Sequence, residues 1–454
     1  MLLTKQELLV HGVKMKKDYT LIYNAHLVDA ELNIPNGAVL ICNGKIAGFP
    51  SKEAVKEMLA DDNIDSFDAK GLTVMPAFID MHAHFRDPGL TQKEDIVSGS
   101  KAAAAGGFGT VVLMPNTKPV ISSQKAALEN NKKAQEAGFA QVIQSVSITK
   151  DFDGKTISHL DSLDAKKVPL ITEDGKEVCD GAVMLKAMQK AAEKNIIVSC
   201  HCEDPFLAYE AKIWRKKALD ILNKNKTLSA AQKKEAVLYL KKANEILCTA
   251  ENTMTIRNLE LAKIAKCRLH LCHVSTEQAL FALLLAKKSG AKVTAEITPH
   301  HLALSGEKAP EIFNIVNPPL RTKQDKKLCI EALQKGIVDV ISTDHAPHTD
   351  ADKKAGAPGF SGLETAFAVC NTVLVKENHF TLQKLSALMS ANAAKILGLK
   401  DRGLLQEGMR ADLVLVDPDK QWTVHGKDFV SKGKFSPFEG KKLSGKVMGL
   451  FLGK

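Results

Sequence analysis

A short apolar run that stops at polar or ionisable residues recurs eight times between residues 72 and 348. The runs are "LTVMPAFIDMHAH", "TVVLMPNT", "AQVIQSVSIT", "VPLITEDG", "NIIVSCHCED", "RLHLCHVST", "KVTAEITPHH" and "VDVISTDHAPH". Between most of them lie Ala/Lys/Leu-rich stretches such as "SGSKAAAAGG", "GAVMLKAMQKAAEKN" and "STEQALFALLLAKKSG", which fit helices closed by Gly or Asn. Strand and helix in alternation point to parallel strands covered by their crossover helices. Eight such units predict an α/β fold of the (β/α)8 TIM-barrel type, whose chemistry gathers at the C-terminal ends of the strands.

The flanks break this rhythm. Residues 19–73, with "YTLIYNAHLVDAELNIPNGAVLICNGKIAGF", and residues 401–454, with "LLQEGMRADLVLVDPDKQWTV", carry short strands and turn residues. We expect them to form one small β-sandwich from both chain ends, beside a barrel spanning 74–400 and an N-terminal extension over 1–18. A Lys-rich stretch around 207–250 reads as a solvated helical insertion on the surface, with no catalytic role.

Composition excludes several function classes. The net charge of +10 comes from dispersed lysines, and aromatic residues make up only 5% of the chain, so the stacking platforms of a nucleic-acid binder are missing. No stretch approaches the roughly 18 continuous apolar residues of a membrane span, and the N-terminus lacks a secretory pattern. Nine cysteines without a C-x-x-C pair read as reduced thiols, which with the rest predicts a cytoplasmic enzyme.

The ionisable residues fall where a barrel would use them. His82 and His84, Asp174, His201, His273, His300 and His301, and Asp344 follow or close predicted strands, although the chain has only 14 histidines. Side chains two apart on a strand share a face, so His82 and His84 can bind one ion. With Asp174, His201, His273 and Asp344 they form an imidazole and carboxylate set that suits zinc or another divalent metal acting as a Lewis acid. Cys200 and Cys202 flank His201, and alternation sends their sulfurs to the opposite face as core groups. Arg86 follows His84 and could grip a carboxylate as a bidentate fork, or serve a structural ion pair. Asn116, Asn317 and His348 could add neutral donors around the same anion, or cap turns.

These segments, with "GSKAAAAGGFGTVVLMPNTKPV", "NPPLRTKQDKKLCIEAL", "SGLETAF", "ANAAKILGL" and "SPFEGKKLSGKV", resemble in order the signature segments of bacterial type I dihydroorotases, in the amidohydrolase superfamily. The resemblance covers about residues 20–450. It implies reversible cyclisation of N-carbamoyl-L-aspartate to L-dihydroorotate in pyrimidine biosynthesis, with one or two zinc ions per subunit. Matched motif to motif, His82 and His84 look like ligands of one metal, Asp174 like a bridging carboxylate, and His201 and His273 like ligands of a second. Asp344 looks like the general acid/base beside the metal, Arg86, Asn116 and His348 like the carboxylate-binding set, and Asn317 like a contact to the ring. A homodimer, and a complex with aspartate transcarbamoylase, are the partners that the resemblance brings into view. Departures from the pattern are Asp174 in place of a carboxylated lysine, and Glu173, Gly109 and Phe435.

Two rivals remain at this level. A sister cyclic amidase, such as a dihydropyrimidinase, hydantoinase or allantoinase, acts on rings without that carboxylate and would leave Arg86 nothing to bind. A non-catalytic scaffold for the transcarbamoylase should have lost ligands, and all six stand in this sequence.

Overall fold

The computed structural model describes residues 18–224, 228–306 and 315–453. The expected extension over 1–18 therefore lies outside the described residues, apart from Asp18. In chain order the strands are β1 (Tyr19–Val28), β2 (Asn33–Cys42), β3 (Lys45–Gly48), β4 (Ile64–Asp68), β5 (Thr73–Pro76), β6 (Phe78–Ala83), β7 (Phe108–Leu113) and β8 (Gln141–Gln144). They continue as β9 (Val146–Ser147), β10 (Leu170–Thr172), β11 (Ile197–Cys200), β12 (Arg268–Leu271), β13 (Val293–Ile297), β14 (Val340–Ile341), β15 (Leu413–Thr423) and β16 (Lys442–Phe451).

The barrel is built from β6 to β14. β6, β7 and β8 pair in parallel, as do β9 through β14 in sequence order. β8 and β9 are two halves of the single run "AQVIQSVSIT", parted at Ser145, whose N–H donates to Leu113 O at 3.0 Å. Every residue of β6 and β7 is buried, which is why these runs read as continuously apolar rather than alternating.

The ring closes between its last and first strands. Ala83 bridges His345 in parallel, and His84 N donates to His345 O at 2.8 Å. The Asp80 carboxylate accepts from Thr343 N at 2.9 Å and from His82 N at 3.2 Å, so one buried side chain ties both strand ends. Burial pushes its carboxyl up to about 7, against these hydrogen bonds.

One run divides differently from the sequence reading. "LTVMPAFIDMHAH" reads as a single strand, yet Thr73–Pro76 pairs antiparallel with β15 in the flanking sheet and only Phe78–Ala83 belongs to the barrel. Pro76 has no N–H to donate, and the chain changes sheets just after it, at Ala77, whose own N–H donates to Asp412 O at 2.8 Å. Gly109 is packed against the same corner: a Cβ there would stand 2.8 Å from Ala77 Cβ, closer than side chains approach one another without one of them shifting.

Strands from both chain ends join into one seven-stranded sheet, ordered β16-β15-β5-β1-β2-β3 with β4 beside β1. Its core mixes the two ends, with Ile22, Leu27, Val39 and Ile41 against Leu413, Leu415 and Phe451. The main core surrounds the barrel strands, where Phe78 lies between Phe108 and Phe367 with ring centroids 5.6 Å from each.

The Lys-rich stretch forms helices Pro205–Lys224 and Ala230–Ala265, the second 36 residues long. Ala208, Ala211, Ala243 and Leu247 make their contact, with Trp214 and Ile246 packed against it. Lys217 Nζ and Lys242 Nζ lie 4.2 and 3.7 Å from the centroid of the Trp214 ring, so part of the basic charge is spent covering an aromatic face.

Candidate active site

Six of the expected residues converge at the barrel mouth, all buried: His82 and His84 at the end of β6, Asp174 after β10, His201 after β11, His273 after β12 and Asp344 after β14. His82 Nε2 lies 3.4 Å from Asp174 Oδ1 and 3.6 Å from Asp344 Oδ1. His84 Nε2 lies 3.6 Å from Asp174 Oδ2 and 3.1 Å from Asp344 Oδ1. On the far side, His201 Nδ1 stands 2.9 Å from His273 Nε2 and 3.6 Å from Asp174 Oδ1. Asp174 thus touches both halves of the cluster.

Three of the residues around this mouth adopt left-handed backbone conformations: Arg86 at φ 60°, His273 at φ 32° and Asp344 at φ 48°. Each costs on the order of 1–3 kcal/mol and is tolerated where the surroundings fix it, most often at functional sites.

The electrostatics match the geometry. Burial would push Asp174 and Asp344 up, but the imidazoles of His82 and His84 overcome it and hold both carboxyls well below the usual range. Burial, with His201 and His82, drives His273 down to about 3, so its imidazole is neutral at pH 7. For His201 the Glu203 carboxylate, 3.8 Å from Nε2, outweighs burial and raises the imidazole to about 9.

The donor set fits a divalent cation. His82, His84 and Asp344, and likewise His82, Asp174 and His273, each offer ligand atoms within 4.8 Å of one another. His82 Nε2 is buried, points at both carboxylates and has no hydrogen-bond partner. Cys200 and Cys202 lie in the core, where burial pushes both thiols well up, whereas Cys272 offers a sulfur within 4.8 Å of ligand atoms of His82 and Glu296 and so stands behind the cluster.

Sequence reasoning missed Glu296. It is fully buried on β13, and its Oε1 lies 2.8 Å from His82 Nδ1 while Oε2 lies 3.1 Å from His270 Nε2. His270 Nδ1 in turn meets Thr294 Oγ1 at 2.9 Å. A carboxylate behind an imidazole fixes its tautomer and turns the opposite nitrogen toward the cluster. The one available signal was a glutamate inside an otherwise apolar run, "VTAEI". We expect Glu296→Gln to weaken metal affinity about 10–100-fold. Equilibrium dialysis against graded chelator would show this, and affinity equal to the parent protein's would mean that His82 is oriented without it.

The expected anion-binding residues are also near. Arg86 is half-buried, its Nη2 3.4 Å from His348 Nε2, its buried Nε without a hydrogen-bond partner, and it forms no ion pair among the described residues. Burial lowers its guanidinium from the ordinary value, opposed by Asp344 and Asp174. His348 also meets Pro358 O at 2.9 Å, and burial with Arg86 drives it down to about 3, so it is neutral. Asn116 bridges the cluster, meeting His84 Nδ1 through Oδ1 and donating from Nδ2 to Asp174 Oδ2, both at 3.0 Å. One of its N–H groups is thereby committed to a cluster carboxylate.

Asn317 holds a partner that the sequence reading did not foresee. Arg215, on helix Pro205–Lys224, donates from Nη1 to Asn317 Oδ1 at 2.7 Å and from Nη2 to Val316 O at 3.1 Å. The Lys-rich insertion is therefore not surface alone: its first helix reaches the mouth, because Asp204 starts that helix directly after His201 by accepting Phe206 N at 2.9 Å.

The other strand-end histidines sit differently. His300 and His301 belong to the short helix Pro299–Ala303, where His301 is held by Thr298 Oγ1 at 2.7 Å and Pro318 O at 3.2 Å. His300 is buried against Phe360, and burial keeps it neutral. Glu173 turns away from the cluster and accepts from Thr149 N at 2.9 Å.

The model of the amidohydrolase family matches residues 73–452. A dihydroorotase of Clostridium botulinum is 41% identical over 431 residues, covering 94% of this chain and 96% of the relative. That of Clostridium acetobutylicum is 39% identical, covering 85% and 88%. Among solved structures, an L-hydantoinase (dihydropyrimidinase) from Arthrobacter aurescens superposes with a TM-score of 0.81 at 24% identity, over 95% of each chain. A dihydropyrimidinase from Brevibacillus agri gives 0.78 at 22% identity, over 96% and 94%. At that identity the two structures speak for the fold alone.

Proposed function

The chain belongs to the amidohydrolase family and within it to the dihydroorotases, and from that premise we propose how its barrel mouth interconverts L-dihydroorotate and N-carbamoyl-L-aspartate. The observation that carries the reading is Arg86. A half-buried guanidinium with an unpartnered Nε and no ion pair among the described residues stands beside the histidine and carboxylate cluster. An anionic ring supplies its missing counter-charge, whereas the neutral ring of a hydantoin or dihydropyrimidine does not.

His82, His84, Asp174, His201, His273 and Asp344 would hold the metal, which we infer to be zinc, with Asp174 shared where two ions bind. When bound, it supplies Lewis acidity to the ring amide and to water. Asp344, ionised and 3.1 Å from His84, accepts the proton of water as oxygen adds to the ring carbonyl. It returns that proton to the ring nitrogen as the C–N bond breaks. In the reverse direction Asp344 takes the ureido proton as the C–N bond forms and returns it to the departing carboxylate oxygen, which leaves as water with a second proton drawn from solvent. Arg86 binds the carboxylate that stays on the ring, with the neutral His348 joining it when its one N–H turns from Pro358 O; Asn116 supports them with its remaining N–H, and Asn317 contacts the ring.

The test is turnover by the zinc-loaded protein of L-dihydroorotate, dihydrouracil and allantoin in parallel. Turnover confined to dihydroorotate is expected. Turnover of a neutral ring in its place would keep the barrel chemistry and discard the Arg86 assignment. The resemblance also supports a homodimer, which sedimentation velocity tests directly. Among the described residues no helix is long and apolar enough to cross a membrane.

A further inference from the structure

The first helix of the Lys-rich insertion lies across two mouth segments. Besides the bonds of Arg215 to Asn317 and Val316, Asn223 Nδ2 donates to Lys354 O at 3.1 Å and Leu219 packs against Gly356. Lys353, fully buried, fastens these two segments to each other through Ile315 O at 3.3 Å, Ala357 O at 2.8 Å and Gly359 O at 2.7 Å. The second segment also carries Pro358, whose carbonyl meets His348. The helix therefore braces both Asn317 and the loop that backs the anion-binding histidine.

Arg215 does more than brace. A guanidinium has donors only, so the atom of Asn317 that faces it is the amide oxygen, and this sets the amide's orientation. With Oδ1 turned to Arg215 and one of its two lone pairs taken, the NH2 at the other end of the amide is the group that matches a carbonyl oxygen of a ring. Arg215 makes no salt bridge among the described residues; the Glu203 carboxylate, farther off, partly balances its charge, and the remainder polarises that amide.

We propose that Arg215 is a specificity-determining positioning residue, which acts through Asn317 to present a hydrogen-bond donor to a carbonyl of the cyclic ureide. This rests on the reading of Asn317 as a ring contact in a dihydroorotase. Arg215 itself touches no reacting atom, so its loss should appear in KM rather than in kcat.

The experiment uses the full-length, zinc-loaded protein with L-dihydroorotate. Arg215→Met is expected to raise KM about tenfold or more, with kcat within threefold and an unchanged melting temperature; Arg215→Lys should recover part of the loss. Asn317→Ala removes the donor without adding charge, so it should raise KM at least as far. The double variant Arg215→Met, Asn317→Ala should be no worse than Asn317→Ala within threefold, because both changes act on one contact. KM within twofold of the parent for Arg215→Met, a normal KM for Asn317→Ala, or effects that multiply in the double variant would each overturn the proposal. Failure of the parent protein to turn over dihydroorotate would instead remove the functional reading and this inference with it.

Discussion

Replacing Asp344 by Asn should lower kcat for dihydroorotate by about 10^3-fold, while the five other ligand residues, His82, His84, Asp174, His201 and His273, keep the metal and the melting temperature holds. General acid–base groups contribute about 10^2–10^4-fold, and Asp344 is the carboxylate that two imidazoles keep ionised, His84 at 3.1 Å and His82 at 3.6 Å. Asparagine preserves the shape of the side chain and tolerates the left-handed φ of 48° at this position better than most residues, so the fold should not suffer. What it loses is the ability to take a proton from water and give it to the ring nitrogen. Metal content measured on the same samples separates this role from ligation. A fall in kcat of less than tenfold at full occupancy would move the proton-transfer role to another group, and a fall that tracks metal loss would make Asp344 a ligand only.

The second large effect is expected at Arg86. Arg86→Met retains much of the apolar stem and removes the charge, and KM for dihydroorotate should rise about 10^2-fold with a smaller change in kcat. A buried charge pair costs about 2–5 kcal/mol when one partner is truncated, and 2.7 kcal/mol corresponds to about two orders of magnitude in binding. Because the carboxylate persists through the reaction, the loss should fall on ground and transition states alike. Steady-state kinetics on the parent and the variant decide the matter. An unchanged KM would mean that the guanidinium serves His348, its neighbour at 3.4 Å, rather than the substrate.

Both predictions use residues that were legible in the sequence, for a reason that can be stated. His82, His84 and Arg86 lie on one short stretch, and strand alternation by itself puts the two imidazoles on one face. Asp174, His201, His273 and Asp344 each sit at the end of an apolar run, and in a parallel barrel those ends share one rim. Strand boundaries were less legible. The chain passes from the flanking sheet into the barrel just after Pro76, and "AQVIQSVSIT" splits at Ser145, because pairing partners far along the chain decide where a run stops being one strand.

Glu296 and Arg215 were out of reach for a different reason. Glu296 stands 214 residues from His82, and a glutamate in a strand gives no sign of the imidazole it will meet. Arg215 sits among lysines on a helix whose composition reads as a solvated face, and its contact with Asn317, 102 residues away, exists only because the helix turns back over the mouth. By itself the sequence determined the βα rhythm, the inward face of each strand end and the types of group gathered at the rim, since these follow from periodicities of two and 3.6 residues. Tertiary structure alone decided which carboxylate stands behind which imidazole, and which cation orients which amide. Such pairings depend on ring closure and on helix placement in three dimensions, and no local pattern along the chain encodes them.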